Sequence, residues 1–120
     1  MDYNLGAMEK RFAVLIWENA PVKSGELVTL CEAEFGWKKS TTYTMLKRLC
    51  DKKIFENNGG TVAALLSPEE FSALKSKEFV EENFGGSLPS FIAAFTSKQR
   101  LKDSEIAALE KLISDNRRVK

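Results

Sequence analysis

Residues 36–53 read GWKKSTTYTMLKRLCDKK and hold six of the chain's eighteen basic residues beside one acid. Wound as a helix from Ser40 to about Lys52, the segment puts Thr42, Met45, Leu46, Leu49 and Cys50 on one side. Ser40, Thr44, Lys47, Arg48 and Asp51 fall on the other, with Thr41 and Tyr43 on the flanks. Lys38 and Lys39 precede the helix, where cations oppose the partial positive charge of its N-terminus. They make physical sense if an anion sits there. Helix-start N–H groups, short hydroxyls that meet phosphate oxygens or base edges, and flanking lysines are the parts with which a recognition helix enters the DNA major groove. A solvated surface helix with a charged outer face is the other reading of the same residues.

Little else in the chain could do chemistry. There is no histidine, which excludes His-based acid–base catalysis and zinc sites of the Cys/His type. Cys31 and Cys50 are too few for a disulfide framework and lack CxxC spacing, so they read as small core residues. Glu69 with Glu70, and Glu81 with Glu82, are sequence neighbours whose side chains point to different helix faces, and they read as capping and solvating groups. No phosphate-cradling glycine loop or nucleophile elbow occurs. The expectation is a protein that is not an enzyme and takes no metal and no small-molecule cofactor.

The elements that must position the basic helix follow from apolar spacing. Met8, Phe12, Leu15 and Ile16 give a first helix from Ala7 to Asn19, broken by NAPVKSGEL with its Pro21. Ser24 is the expected N-cap of a second helix with Leu27, Leu30 and Cys31 on one face, ending near Gly36. Ser40 is the expected cap of the third. KIFE and TVAALL then read as strands joined by NNGG, whose residues tolerate the positive φ of a tight hairpin. Three helices followed by a β-hairpin is the order of a winged helix-turn-helix, and it weighs against the plain surface-helix reading.

Past residue 66, SPEEF signals a helix start, with Ser67 as N-cap, Pro68 at the first position and Glu70 completing a capping box. That helix is expected to run to about Asn83. Gly85 and Gly86 break it, and Ser87 opens a segment with Leu88, Phe91, Ile92 and Phe95 at helical spacing. A last helix carries Ile106, Leu109, Leu112 and Ile113. The expected fold class is therefore mainly α with a small β-hairpin, divided into a winged-helix domain over 1–66 and three helices over 67–120. The second part alone buries too little surface to be stable, so its aromatic stripe is expected to close against another copy of the chain. It carries nine basic and nine acidic side chains, which leaves the positive cluster to the first part. With 120 residues, a formal net charge of +1 and 43% hydrophobic residues, the composition is that of an ordinary soluble domain. No run reaches the ~18 apolar residues of a membrane span, and MDYNLGAMEKRF lacks the order of a signal peptide. A cytoplasmic protein is expected.

The residues VLIWENAPVKSGELV, Trp37 with KKSTTYTMLKRLCDKK, the short hairpin, FGGSLPSFIAAF and LKDSEIAALEKLI together resemble the penicillinase and methicillin-resistance repressors, the BlaI/MecI/CopY group. They do so in the same order over nearly the whole chain. The resemblance implies a homodimeric winged-helix repressor of transcription on a palindromic operator in double-stranded DNA. It implies base reading by Ser40, Thr41, Tyr43 and Thr44, with phosphate contacts from Lys38, Lys39, Lys47 and Arg48. Trp17 and Trp37 fall on the family's tryptophan positions; Trp37 either donates its indole N–H to a phosphate or covers the edge of the core. Wing contacts are expected from backbone N–H groups of Asn58, Gly59 and Gly60, because ENNGGTVAALL has no Lys or Arg to grip phosphate. Dimerisation falls to Phe79, Phe84, Leu88, Phe91, Ile92, Phe95, Ile106, Leu109, Leu112 and Ile113. The penicillinase branch is inactivated by a membrane sensor protease, whose matching bond here is Ala94–Phe95, although Phe95 is first a core candidate. The copper branch senses metal through C-terminal cysteines, which EKLISDNRRVK lacks. Two departures stand out: relatives usually have Gly where this chain has Lys53, and some have a basic residue in place of Tyr43.

A protein-interaction module is the competing class. In that reading the winged helix is a scaffold and the C-terminal helices dock a different chain. The uncharged wing is the feature in its favour.

Overall fold

The computed structural model describes residues 2–118. In chain order its elements are α1 (Ala7–Asn19), β1 (Val22–Lys23), α2 (Ser24–Phe35), α3 (Lys39–Asp51), β2 (Phe55–Asn58), β3 (Thr61–Ala64), α4 (Pro68–Phe84), α5 (Leu88–Lys98) and α6 (Asp103–Arg118). This is the mainly α class expected, a winged helix-turn-helix followed by C-terminal helices. No described helix is long and apolar enough to cross a membrane.

The core of the first unit gathers one stripe from each of its helices. Phe12, Ala13 and Ile16 of α1, Leu27 and Cys31 of α2, and Leu46 and Leu49 of α3 are buried together with Val22, Ile54, Phe55, Val62 and Phe71. Each large side chain taken out of water in this way stabilises the fold by about 2 kcal/mol. Met8, one of the residues whose spacing marks α1, is exposed, and Ala13 is buried beside Phe12 and Ile16. Thr42 is the single buried polar side chain among the described residues, and its hydroxyl donates to the carbonyl of Lys38 at 3.5 Å. Burial raises both thiol pKa values above the ordinary range; at Cys31 a hydrogen bond with Thr42 opposes the rise, and at Cys50 the Asp51 charge adds to it.

The sheet has three antiparallel strands in the order β1-β3-β2 rather than a bare hairpin. Register pairs Asn58 with Thr61, which leaves Gly59 and Gly60 as a two-residue loop with φ of 60° and 91°. Positive φ at both loop residues matches the twist of a hairpin and suits glycine. β1 went unforeseen because two residues are too few for an alternating pattern; Val22 and Lys23 pair with Val62 and Thr61, straight after the break at Pro21.

The helix starts divide into capped and uncapped. At α4, Ser67 and Glu70 form the expected capping box, with bonds of 2.9 and 3.0 Å, and at α5 the Ser87 hydroxyl accepts from the N–H of Ser90 at 3.1 Å. Ser24 and Ser40, by contrast, are not caps. They lie inside α2 and α3, whose N-caps are Lys23 and Lys38 without a side-chain cap bond. Trp17 fastens the first turn of α4: its indole N–H donates to the carbonyl of Leu66 at 2.9 Å, and its ring meets Phe55 and Phe71 with centroids 5.3 and 5.7 Å away.

The chain separates into two compact units, residues 1–79 and 80–120, with the break inside α4. In the second, α5 has no buried residue, and Phe91 of α5 meets Phe84 and Phe95 at 5.5 and 6.4 Å.

Candidate nucleic-acid interface

α3 has the two faces expected of it. Thr42, Leu46 and Leu49 are buried and Met45 and Cys50 half-buried, while Lys39, Ser40, Thr41, Tyr43, Thr44, Lys47 and Arg48 are exposed. Its first turn contains no acid and its N-cap is a lysine with no side-chain acceptor. The N–H groups that every helix start leaves unpaired therefore meet neither a capping side chain nor a carboxylate here. Lys38 stands exposed beside them. Such an end attracts an anion.

The individual side chains are held to different degrees. Thr44 donates its hydroxyl to the carbonyl of Ser40 at 2.9 Å, so the lone pairs of Oγ1 remain to accept a bond from outside. Lys47 is paired with Asp51 at 3.3 Å, with side chains 77% and 67% exposed. A pair so open to water is held by at most about 1 kcal/mol, and a phosphate can replace the carboxylate. Arg48 reaches the sulfur of Met45 at 3.7 Å, a weak contact that leaves most of its five donors uncommitted. Tyr43 is more constrained: its hydroxyl donates to Oγ of Ser24 in α2 at 3.1 Å.

Trp37 is half-buried. Its rings lie against Phe12 and Phe35 with centroids 5.2 and 4.7 Å away, so it covers the edge of the core. Lys52 leaves the cationic group, because its ammonium donates to the carbonyl of Asn4 at 2.7 Å and stands 3.9 Å from Asp2. Lys53 stays exposed.

At the wing, Asn58 and Gly59 are exposed, and the Asn57 side chain accepts from the N–H of Gly60 at 3.1 Å. The tip has no cation of its own. Pairing of β1 with β3 supplies one: Lys23, exposed, stands opposite Thr61, and a recess beside the tip is lined by Lys23, Ser24, Gly25, Glu26, Gly59 and Gly60. Sequence reasoning missed Lys23 and Ser24 in this setting. Only the pairing partner of Val22 could have revealed them.

The second unit holds the other group of candidate residues. Leu88, Phe95, Ile106, Leu112 and Ile113 are exposed large apolar side chains, Leu112 at 65% and Ile113 at 59%. Phe91, Ile92, Phe95, Thr96, Leu101 and Leu109 line most of a groove of about 340 Å³ between α5 and α6. Phe79, exposed, belongs to the first unit, and Phe84 is half-buried in the second. Ala94 and Phe95 lie within α5, and the bond between them is helical.

Comparison with known proteins agrees with the geometry. The family model described as penicillinase repressor matches residues 5–115. The penicillinase repressor of Bacillus licheniformis is 22% identical over 107 residues, covering 86% of this chain and 84% of that protein. The methicillin resistance regulatory protein MecI of Staphylococcus aureus is 22% identical over 121 residues, covering 93% of this chain and 94% of that protein. With the match running from before α1 into α6, the chain belongs to the penicillinase repressor family.

Proposed function

We propose that the chain is a homodimeric transcriptional repressor of the cytoplasm that binds a palindromic operator in double-stranded DNA, with 1–66 contacting DNA and 67–120 joining the two copies. The observation that carries the reading is α3 itself, a helix with a buried Thr42/Leu46/Leu49 face, an exposed cationic and hydroxyl face, and an uncapped N-terminus flanked by lysines. In this reading Ser40, Thr41 and Thr44 meet base edges, Lys38, Lys39, Lys47 and Arg48 meet phosphates, and the wing-tip N–H groups of Asn58 and Gly59 approach the backbone. The second copy supplies the apolar partner for Leu88, Phe95, Ile106, Leu112 and Ile113, each a large apolar side chain left exposed, as suits an interface. A sensor protease enters only through the family resemblance; to cut Ala94–Phe95 it would have to unwind α5.

Selection of bound duplexes from a random DNA pool tests the reading. The expected result is a palindrome whose half-sites lie one helical turn or a multiple apart, with affinity falling steeply as salt rises because phosphate contacts release counterions. Recovery of no common sequence, or salt-insensitive binding, would overturn it. The interaction-module reading draws on the wing, whose β2 strand exposes Glu56 and carries no cation. It requires a monomer in isolation that gains a different partner chain.

A further inference from the structure

The Tyr43 hydroxyl, on the exposed face of α3, is bonded to a side chain of another helix, and that partner sits at a junction. Ser24 is the first residue of α2 and directly follows β1. Its N–H donates to the carbonyl of Gly60, in the wing loop, at 2.8 Å. Its Oγ accepts from the Tyr43 hydroxyl at 3.1 Å and lies 3.9 Å from the point where a Cβ on Gly60 would stand. One residue thus holds the wing tip by its backbone and the recognition helix by its side chain.

We infer that Ser24 is a positioning residue for DNA recognition: through Tyr43 and Gly60 it fixes the wing tip against the exposed face of α3, and so sets the spacing at which the two elements meet the duplex. The inference rests on the DNA-binding reading above. Its chemistry is consistent at each atom. A serine hydroxyl that accepts one bond keeps its own proton to donate. Wing and helix must engage DNA at the same time, so freedom between them costs affinity when the complex forms.

The test uses the full chain with Ser24→Ala, Tyr43→Phe, the double variant and Ser24→Thr, measured on the duplex recovered by selection and on a scrambled duplex. Each single change is expected to lower affinity for the recovered duplex about 5-fold, as loss of one hydrogen bond would. Affinity for scrambled DNA should hardly change. The double variant should be no weaker than either single one, because both remove the same bond. Ser24→Thr, which keeps the hydroxyl, should restore wild-type affinity. In the free protein, exchange of the Ser24 amide proton should speed up in both single variants. Additive effects, equal loss on both duplexes, or failure of Ser24→Thr to rescue would overturn the inference while leaving DNA binding intact. A wild-type chain that binds no duplex overturns the DNA-binding reading and this role with it, and that result is visible before any variant is made. If Ser24→Ala does not fold, Tyr43→Phe against wild type carries the same comparison.

Discussion

At the residue scale, the exposed face of α3 sorts by how firmly each group is held. Thr44 is fixed by its bond to the Ser40 carbonyl, so its free lone pairs point in one direction, which is what base reading requires. Lys47 swings on a pair with Asp51 that water already weakens, which suits a phosphate contact that has no sequence preference. Replacing Thr44 with Ala should therefore weaken binding to the selected duplex by about 1–3 kcal/mol and leave scrambled DNA nearly unaffected. Changing Lys47 to Ala should weaken both and lower the salt slope by about one. Titration of both variants on both duplexes at several salt concentrations separates the roles; equal behaviour would show that the division between them is wrong.

At the element scale, the joint between α3 and β2 shows how a local conflict is tolerated. Lys53 has φ of 62°, the only positive value outside glycine among the described residues. Its N–H donates to the carbonyl of Cys50 at 3.0 Å, and that of Ile54 to Leu49 at 3.2 Å. These are the paired bonds of a Schellman ending. Ile54, fully buried, packs in the same core as Leu49. The turn keeps the conformation that a glycine would take, and the buried Ile54 holds it there against the steric preference of lysine. Lys53→Gly should relieve about 1 kcal/mol of left-handed strain and raise the melting temperature by about 4 °C, as read by calorimetry. A lower melting temperature would mean that the lysine side chain stabilises the joint in another way.

At the scale of the whole molecule, the two units have different needs. Residues 1–79 contain a closed core of their own, from Phe12 to Phe71, whereas α5 buries nothing fully and α6 exposes Ile106, Leu112 and Ile113. Removing residues 85–120 should leave a chain that still melts cooperatively but sediments as a monomer. Its affinity for a palindromic duplex should fall on the order of 100-fold, since two linked half-site contacts become one. An unchanged affinity in the truncated chain would show that the C-terminal helices do not join two copies for binding.

Much of this was legible in the sequence because it depends on near neighbours. The buried and exposed faces of α3 follow from 3.6-residue spacing, the capping box at Ser67 from Pro68 and Glu70, and the wing loop from two adjacent glycines. Other features depend on what comes close from elsewhere. Ser24 and Ser40 look like caps by residue type, yet the N-caps lie one residue earlier at Lys23 and two residues earlier at Lys38; at α2 the entering chain is held by β1, which pairs with β3. Lys52 reads as one more free cation until the N-terminal segment folds onto it. The Tyr43 hydroxyl reads as unpartnered until Ser24 arrives from α2. By itself the sequence determined the helices, the hairpin and the charged face, whose causes lie within a few residues along the chain. Only the tertiary structure decided which groups on that face are already engaged, because hydrogen bonds between distant segments depend on positions that local spacing does not specify.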